Sequence, residues 1–228
     1  MTSTAALVIA VAVLTVHNLG VERLRPAFYV PACGVTATTM VGLATWAEID
    51  VGDLGLSATG LRSGLVAGAV ALGVVVIAGL VPATRLLFAD RRMIGVGPVG
   101  TVYRAAVRIP FGTVLVEEVA FRGVLLALVG GPAGTAWAVV VSSALFGLWH
   151  VVPLRATLGT NAIAPSPTLV GGTVVALALV GAGLCWLRLV AGGLAAPAVV
   201  HASASAGATV VAFFVVRRPS TLGAEFSD

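Results

Sequence analysis

Val114-Leu115-Val116-Glu117-Glu118-Val119-Ala120-Phe121-Arg122-Gly123-Val124-Leu125-Leu126-Ala127-Leu128-Val129 is the stretch whose reading decides the fold. Its flanks are long and apolar enough to cross a bilayer, yet two adjacent carboxylates and a guanidinium lie within it. On the lenient insertion scale such a group costs roughly 2.5–3.5 kcal/mol at the bilayer centre. Three of them in one span must face a protein interior and have a task there. The environment is set by the rest of the chain, which is 59% hydrophobic and only 10% charged over 228 residues. With a mean hydropathy of +1.09, it falls well short of the roughly 25% charged residues with which a soluble domain covers its surface.

Working outward, apolar runs near 4–20, 28–46, 63–82, 106–129, 135–153, 169–187 and 193–216 predict an all-α polytopic bundle of about seven spans. The chain reads as one integral membrane domain over residues 1–228. No repeat or low-complexity tract interrupts it, and the longest loops, about 83–105 and 154–168, are too short to fold alone. Charges follow the first span at Glu22, Arg23 and Arg25, and no basic segment precedes it, so it reads as a retained span rather than a signal peptide. Abundant Gly (28 residues), often paired with Ala, predicts closely approaching helices. The segment from Arg85 to Arg92 reads as a solvated loop that helps to orient the chain, the alternative being a basic interfacial segment on the cytoplasmic leaflet.

All 13 basic residues are Arg and none is Lys, the mark of a GC-rich genome, and a bacterial source is expected. The net charge of +4 does not imply nucleic acid, because the arginines occupy short loops. Arg23, Arg25, Arg85, Arg91, Arg92, Arg104, Arg155, Arg217 and Arg218 fall on one side of the bundle. Glu48, Asp50 and Asp53, with Arg62 and Arg188, fall on the other. The positive-inside rule makes the first side cytoplasmic, with the N-terminus outside and the C-terminus inside. Cys33 and Cys185 lie in separate apolar spans and read as small buried thiols.

On an α-helix Glu118 and Arg122 stand at i and i+4, so they pair and keep the arginine inside. Glu117 is rotated by roughly 100° from Glu118, which leaves it free to act while Glu118 and Arg122 serve structure. His150 ends Phe146-Gly147-Leu148-Trp149-His150, and His201 lies within the last span. A neutral imidazole beside a carboxylate can deprotonate a water, and Glu117, His150 and His201 form an ordinary zinc ligand set if a zinc is bound. No cofactor is required by the residues themselves. His17, beside Asn18 at the end of the first span, reads as interfacial and stays outside the site.

Glu-Glu-x-x-x-Arg, a Phe-x-x-x-His some 25 residues on and a histidine near the C-terminus resemble the CPBP family of intramembrane proteases. That family includes CAAX prenyl endopeptidases and bacterial Abi or bacteriocin-immunity proteins. The motifs fall within residues 106–216, and the Phe-Arg-Gly at Phe121 to Gly123 and the Pro197 approach to His201 also look like family usage. The resemblance implies an endopeptidase acting on a peptide or membrane-protein substrate within the bilayer, its site reached from the cytoplasm. It implies water activation by Glu117 and His150, with oxyanion stabilisation by His201 and the residue four later. Glutamate-type and metal-dependent chemistry are both open. The residue four later is usually Asn in the family and is Ser205 here, a shorter donor; loss of one oxyanion donor costs about 10²–10³ in rate. Retention of the other motif residues favours an active enzyme. The competing reading is a non-catalytic immunity or scaffold protein on the same bundle. A proton-coupled transporter ranks last, because no matching halves with broken helices occur.

Overall fold

The computed structural model describes residues 2–217. Its described residues contain helices and no strand, and seven long helices follow one another: α1 (Ser3–Gly20), α2 (Pro26–Trp46), α3 (Leu61–Leu80), α4 (98–133), α5 (Thr135–Thr160), α6 (Pro167–Ala191) and α7 (Ala195–Val215). Six of these are apolar and long enough to cross a membrane. The remaining one, α4, carries the Glu-Glu-x-x-x-Arg motif. The chain is therefore a multi-pass membrane protein, and the expected bundle of about seven spans is the observed one.

The boundaries differ from the sequence reading in instructive places. Helix α4 begins at Pro98 rather than near 106, because Pro at a first helical position loses no needed donor. Helix α5 runs on to Thr160 through a bend at His150, so much of the expected 154–168 loop is helical. The segment 81–97 is not a free loop. It folds into short turns, Pro82–Arg85, Leu86–Phe88 and Arg91–Met93, and buried Met93 packs against Ala212 of α7 and Val216 just beyond it.

Helix α4 is the axis of the bundle. Two stretches, Arg104–Val114 and Glu118–Leu125, are wide-turn π-helix, a form that usually occurs as single turns at functional sites. Pro110, which lacks an N–H, sits in the first. Ser142 of α5 donates to the Phe121 carbonyl at 2.6 Å in the second. The main core gathers Ala6, Ala10 and Leu14 of α1, Met40 and Ala44 of α2, Phe121 and Leu125 of α4, and Phe146 of α5. Helix α7 packs on α3 through small residues: a Cβ at Gly64 would come 2.7 Å from Ala196 Cα, and one at Gly68 would come 2.8 Å from Ser203 Oγ. That approach carries His201 to α4.

The arginines assigned to one side do gather at one end. Arg91 N–H donates to Asn161 and Arg217 donates to the Val96 carbonyl, and Arg108, from within the expected fourth span, joins this end by pairing with Glu22 at 2.8 Å. At the other end Arg188 holds the 47–60 loop through the Asp53 carbonyl at 3.0 Å. Arg218 lies outside the described residues.

Candidate active site

Glu117 and Glu118 are 4% and 2% exposed and Arg122 is fully buried. Arg122 Nη1 donates to Glu118 Oε1 at 3.0 Å, and its guanidinium lies 4.0 Å over the Phe146 ring. The i, i+4 pair is thus present, and Phe146 closes its far side as a cation–π partner. Gly123 follows for a steric reason: a Cβ there would stand 3.2 Å from the Leu54 carbonyl of the loop covering this end.

Glu118 makes a second contact besides the one to Arg122. His201 touches both: Nδ1 meets Glu118 Oε1 at 2.8 Å, and Nε2 stands 3.7 Å from Glu117 Oε2. A wide turn advances each residue by less than the 100° of an α-helix, so neighbouring side chains diverge less. Glu118 therefore orients an imidazole as well as neutralising Arg122. His150 approaches Glu117 Oε2 from α5, with Nε2 at 4.0 Å. Its Nδ1 lies 2.8 Å from the Phe146 carbonyl. A carbonyl can only accept, so Nδ1 carries a proton, and in the neutral ring Nε2 then presents its lone pair.

Three contributors escaped the sequence reading. Trp149 Nε1 donates to Glu117 Oε1 at 3.0 Å, which occupies that oxygen and leaves Oε2 buried without a hydrogen-bond partner among the described residues. Trp149 is itself held by Asn18, whose amide donates to its carbonyl at 2.7 Å, and by Phe121, edge-on at 5.7 Å. His17, set aside as interfacial, stacks on Trp149 with centroids 6.0 Å apart and bonds Thr36 at 2.8 Å. The only available signal was the position of Trp149 between the Phe-x-x-x-His residues, and a tryptophan near a helix end ordinarily reads as a membrane-interface anchor.

Ser205, one turn beyond His201, makes no side-chain hydrogen bond to this cluster among the described residues. It lines a cavity of ≈ 620 Å³ that also involves Tyr29, Thr113, Arg92, Arg104 and Arg108. Within it, burial pushes the Asp90 carboxyl up, but its hydrogen bonds with Arg92 and Asn161 outweigh burial and hold it below the usual carboxylate range. An apolar crevice of ≈ 210 Å³ adjoins the site on the other side, lined by Leu14, Asn18, Phe121, Leu148 and Trp149 among others.

For a zinc, the donor types fit: two Nε2 atoms and a carboxylate oxygen converge, and each Nδ1 is oriented by an acceptor, as metal-binding imidazoles are. The spacing is looser than a closed site, since among the described residues no three His, Cys, Asp or Glu side chains stand close enough to hold a metal ion.

Fold and site together define a multi-pass membrane protein with a carboxylate–imidazole centre buried between its helices. Residues 99–207, a little under half of the chain, match the family described as Type II CAAX prenyl endopeptidase Rce1-like. That is the protease family which the motifs resemble, and the match spans every motif residue from Glu117 to Ser205. No curated protein and no solved structure shows significant similarity to the chain.

Proposed function

We propose that this chain is an intramembrane endopeptidase that hydrolyses a peptide bond with a water activated by Glu117 and His150. One observation carries the reading. Glu117 Oε2 is buried, has no hydrogen-bond partner among the described residues, and is faced by the Nε2 atoms of His150 and His201 at 4.0 and 3.7 Å. A water about 2.8 Å from each of these atoms spans such gaps at an angle of roughly 80–90°, within reach of ordinary hydrogen bonding. Glu117 or the His150 lone pair takes its proton, and the hydroxide adds to the substrate carbonyl. With Glu118 on Nδ1, His201 can hold a proton on Nε2 while its charge stays paired, and that N–H donates to the oxyanion. Ser205 adds a second, shorter donor after modest motion. The proton taken from water then passes to the departing amine. Glu118 and Arg122 act as positioning residues, as does Phe146. A zinc held by Glu117, His150 and His201 would lower the pKa of a bound water; metal analysis of the purified protein distinguishes the two forms.

The proposed substrate is a peptide or membrane protein reached from the arginine-rich end, taken as cytoplasmic, with the N-terminus outside and the protein bacterial. The matching family is described as a CAAX prenyl endopeptidase, and the apolar crevice beside Trp149 supports an apolar chain lying there. Farnesylated and unmodified versions of one peptide would tell which is used.

The test compares membrane proteomes, with peptide termini mapped, from cells lacking the protein and cells complemented with wild type, Glu117→Ala, His150→Ala or His201→Ala. New termini should return with wild type alone. Identical termini throughout, with Glu117→Ala as competent as wild type in any phenotype, would favour an immunity or scaffold protein.

A further inference from the structure

Among the described residues, the cavity at the arginine-rich end contains one cation with no carboxylate within ion-pair distance. Its lining includes Arg92, Arg104 and Arg108 with Glu22 and Asp90. Asp90 accepts from Arg92 on both carboxylate oxygens, at 2.6 Å and 2.8 Å on Oδ2 and 3.0 Å on Oδ1. Glu22 likewise holds Arg108 Nη2 with both oxygens at 2.8 Å, and Arg108 also lies 3.9 Å over the Tyr29 ring. Arg104 has no carboxylate within ion-pair distance among the described residues. It donates only to the Arg92 carbonyl at 3.5 Å and approaches Met93 Sδ at 3.6 Å, both at the limit of useful bonding.

The cavity also reaches to within one helical turn of the buried centre. Thr113 and Ser205 line it, and they stand one helical turn from Glu117 and His201 respectively. A peptide whose scissile carbonyl reaches Glu117 must send one arm out of the membrane interior, and this polar cavity is the path at hand. The rise from Arg104 to Glu117 is at most ~20 Å at ~1.5 Å per residue, which an extended peptide covers in about six residues. We propose that this cavity receives a carboxylate of the substrate peptide, either its C-terminal group or an acidic side chain within about six residues of the cleaved bond, and that Arg104 is the residue that meets it. The proposal rests on the endopeptidase reading and assigns that reading a specificity element. A guanidinium suits the task because it presents a planar fork matching a carboxylate.

The test measures binding rather than turnover, so that it stands apart from the cleavage reading. The Glu117→Gln protein, in phosphatidylcholine nanodiscs, is titrated with three dansylated octapeptides of Ala, Val and Leu. One ends in a free carboxylate, one in a carboxamide, and one in a carboxamide with Glu at the penultimate position. At least one acidic peptide should bind about tenfold or more tightly than the plain amide, the scale of a hydrogen bond to a charged group. Which acidic peptide wins identifies the terminal or the side-chain carboxylate. Adding Arg104→Gln should erase the preference, and Arg104→Lys, which keeps the charge, should retain part of it and also report that the cavity still folds. Equal binding of the three peptides, no binding of any, or a preference that survives Arg104→Gln would overturn the proposal. So would equal binding weakened by added phosphatidylglycerol in the Arg104 protein alone, which would assign the cavity to lipid phosphate. Acid-selective binding with no hydrolysis by the wild-type protein would sink the endopeptidase reading and leave the carboxylate site standing.

Discussion

Replacing Arg122 with Met separates the architecture of the site from its chemistry. Arg122 is fully buried and Glu118 is 2% exposed, so removal of the guanidinium leaves a carboxylate with no access to water. Breaking a buried ion pair from one side costs about 3–5 kcal/mol. The lower end applies here, since His201 Nδ1 still meets Glu118 Oε1 at 2.8 Å and Met refills the space beside Phe146. Against a total stability of about 5–15 kcal/mol, a loss of ~3 kcal/mol is a large fraction. At roughly 2–4 °C per kcal/mol for a chain of this size, the melting point should fall by about 6–12 °C. Tryptophan fluorescence on heating in detergent reads this directly, because Trp149 lies at the site. Glu118→Gln combined with Arg122→Met removes both charges and should recover most of the loss, as apolar replacement of buried pairs generally does. Proteolysis should not recover with it, since His201 then has no carboxylate on Nδ1. A single variant that melts within ~2 °C of wild type would refute the reasoning, and so would a double variant melting as low as the single one.

Trp149→Phe keeps an aromatic ring against His17 and Phe121 but removes the donor to Glu117 Oε1. Turnover of any substrate found should fall roughly 10- to 100-fold, the worth of a hydrogen bond to a charged group, with KM nearly unchanged; an unchanged kcat would show that Trp149 only packs. Gly147→Ala sets a Cβ against the Val174 carbonyl and close to Ala178 where α5 meets α6. An overpacking cost of roughly 1–3 kcal/mol should lower the monodisperse yield. Gly172→Ala, which meets nothing within 4 Å, is the neutral control, and equal yields of the two would contradict the packing described.

Much of this protein was legible because its information is local. Apolar runs of about 20 residues need no partner to be recognised as spans, and six of them match apolar helices long enough to cross a membrane. The Glu118–Arg122 pair was legible for the same reason, both partners lying on one helix at i and i+4. The arginine distribution likewise foretold which loops would share an end of the bundle. What lay beyond reach were relations between helices and departures from α-helical geometry. The shared contact of Glu117 and Glu118 with His201 depends on a wide-turn stretch of α4 and on the close seating of α7 against α3 at Gly64 and Gly68. The Trp149 bond to Glu117 and, among the described residues, the lack of a carboxylate at Arg104 depend on where other elements end, as does the docking of Met93 against α7. Hydrophobic periodicity reports only that a face is buried. Which polar atoms meet across it, at distances where a fraction of an ångström separates a hydrogen bond from none, is decided by the packing of the assembled bundle.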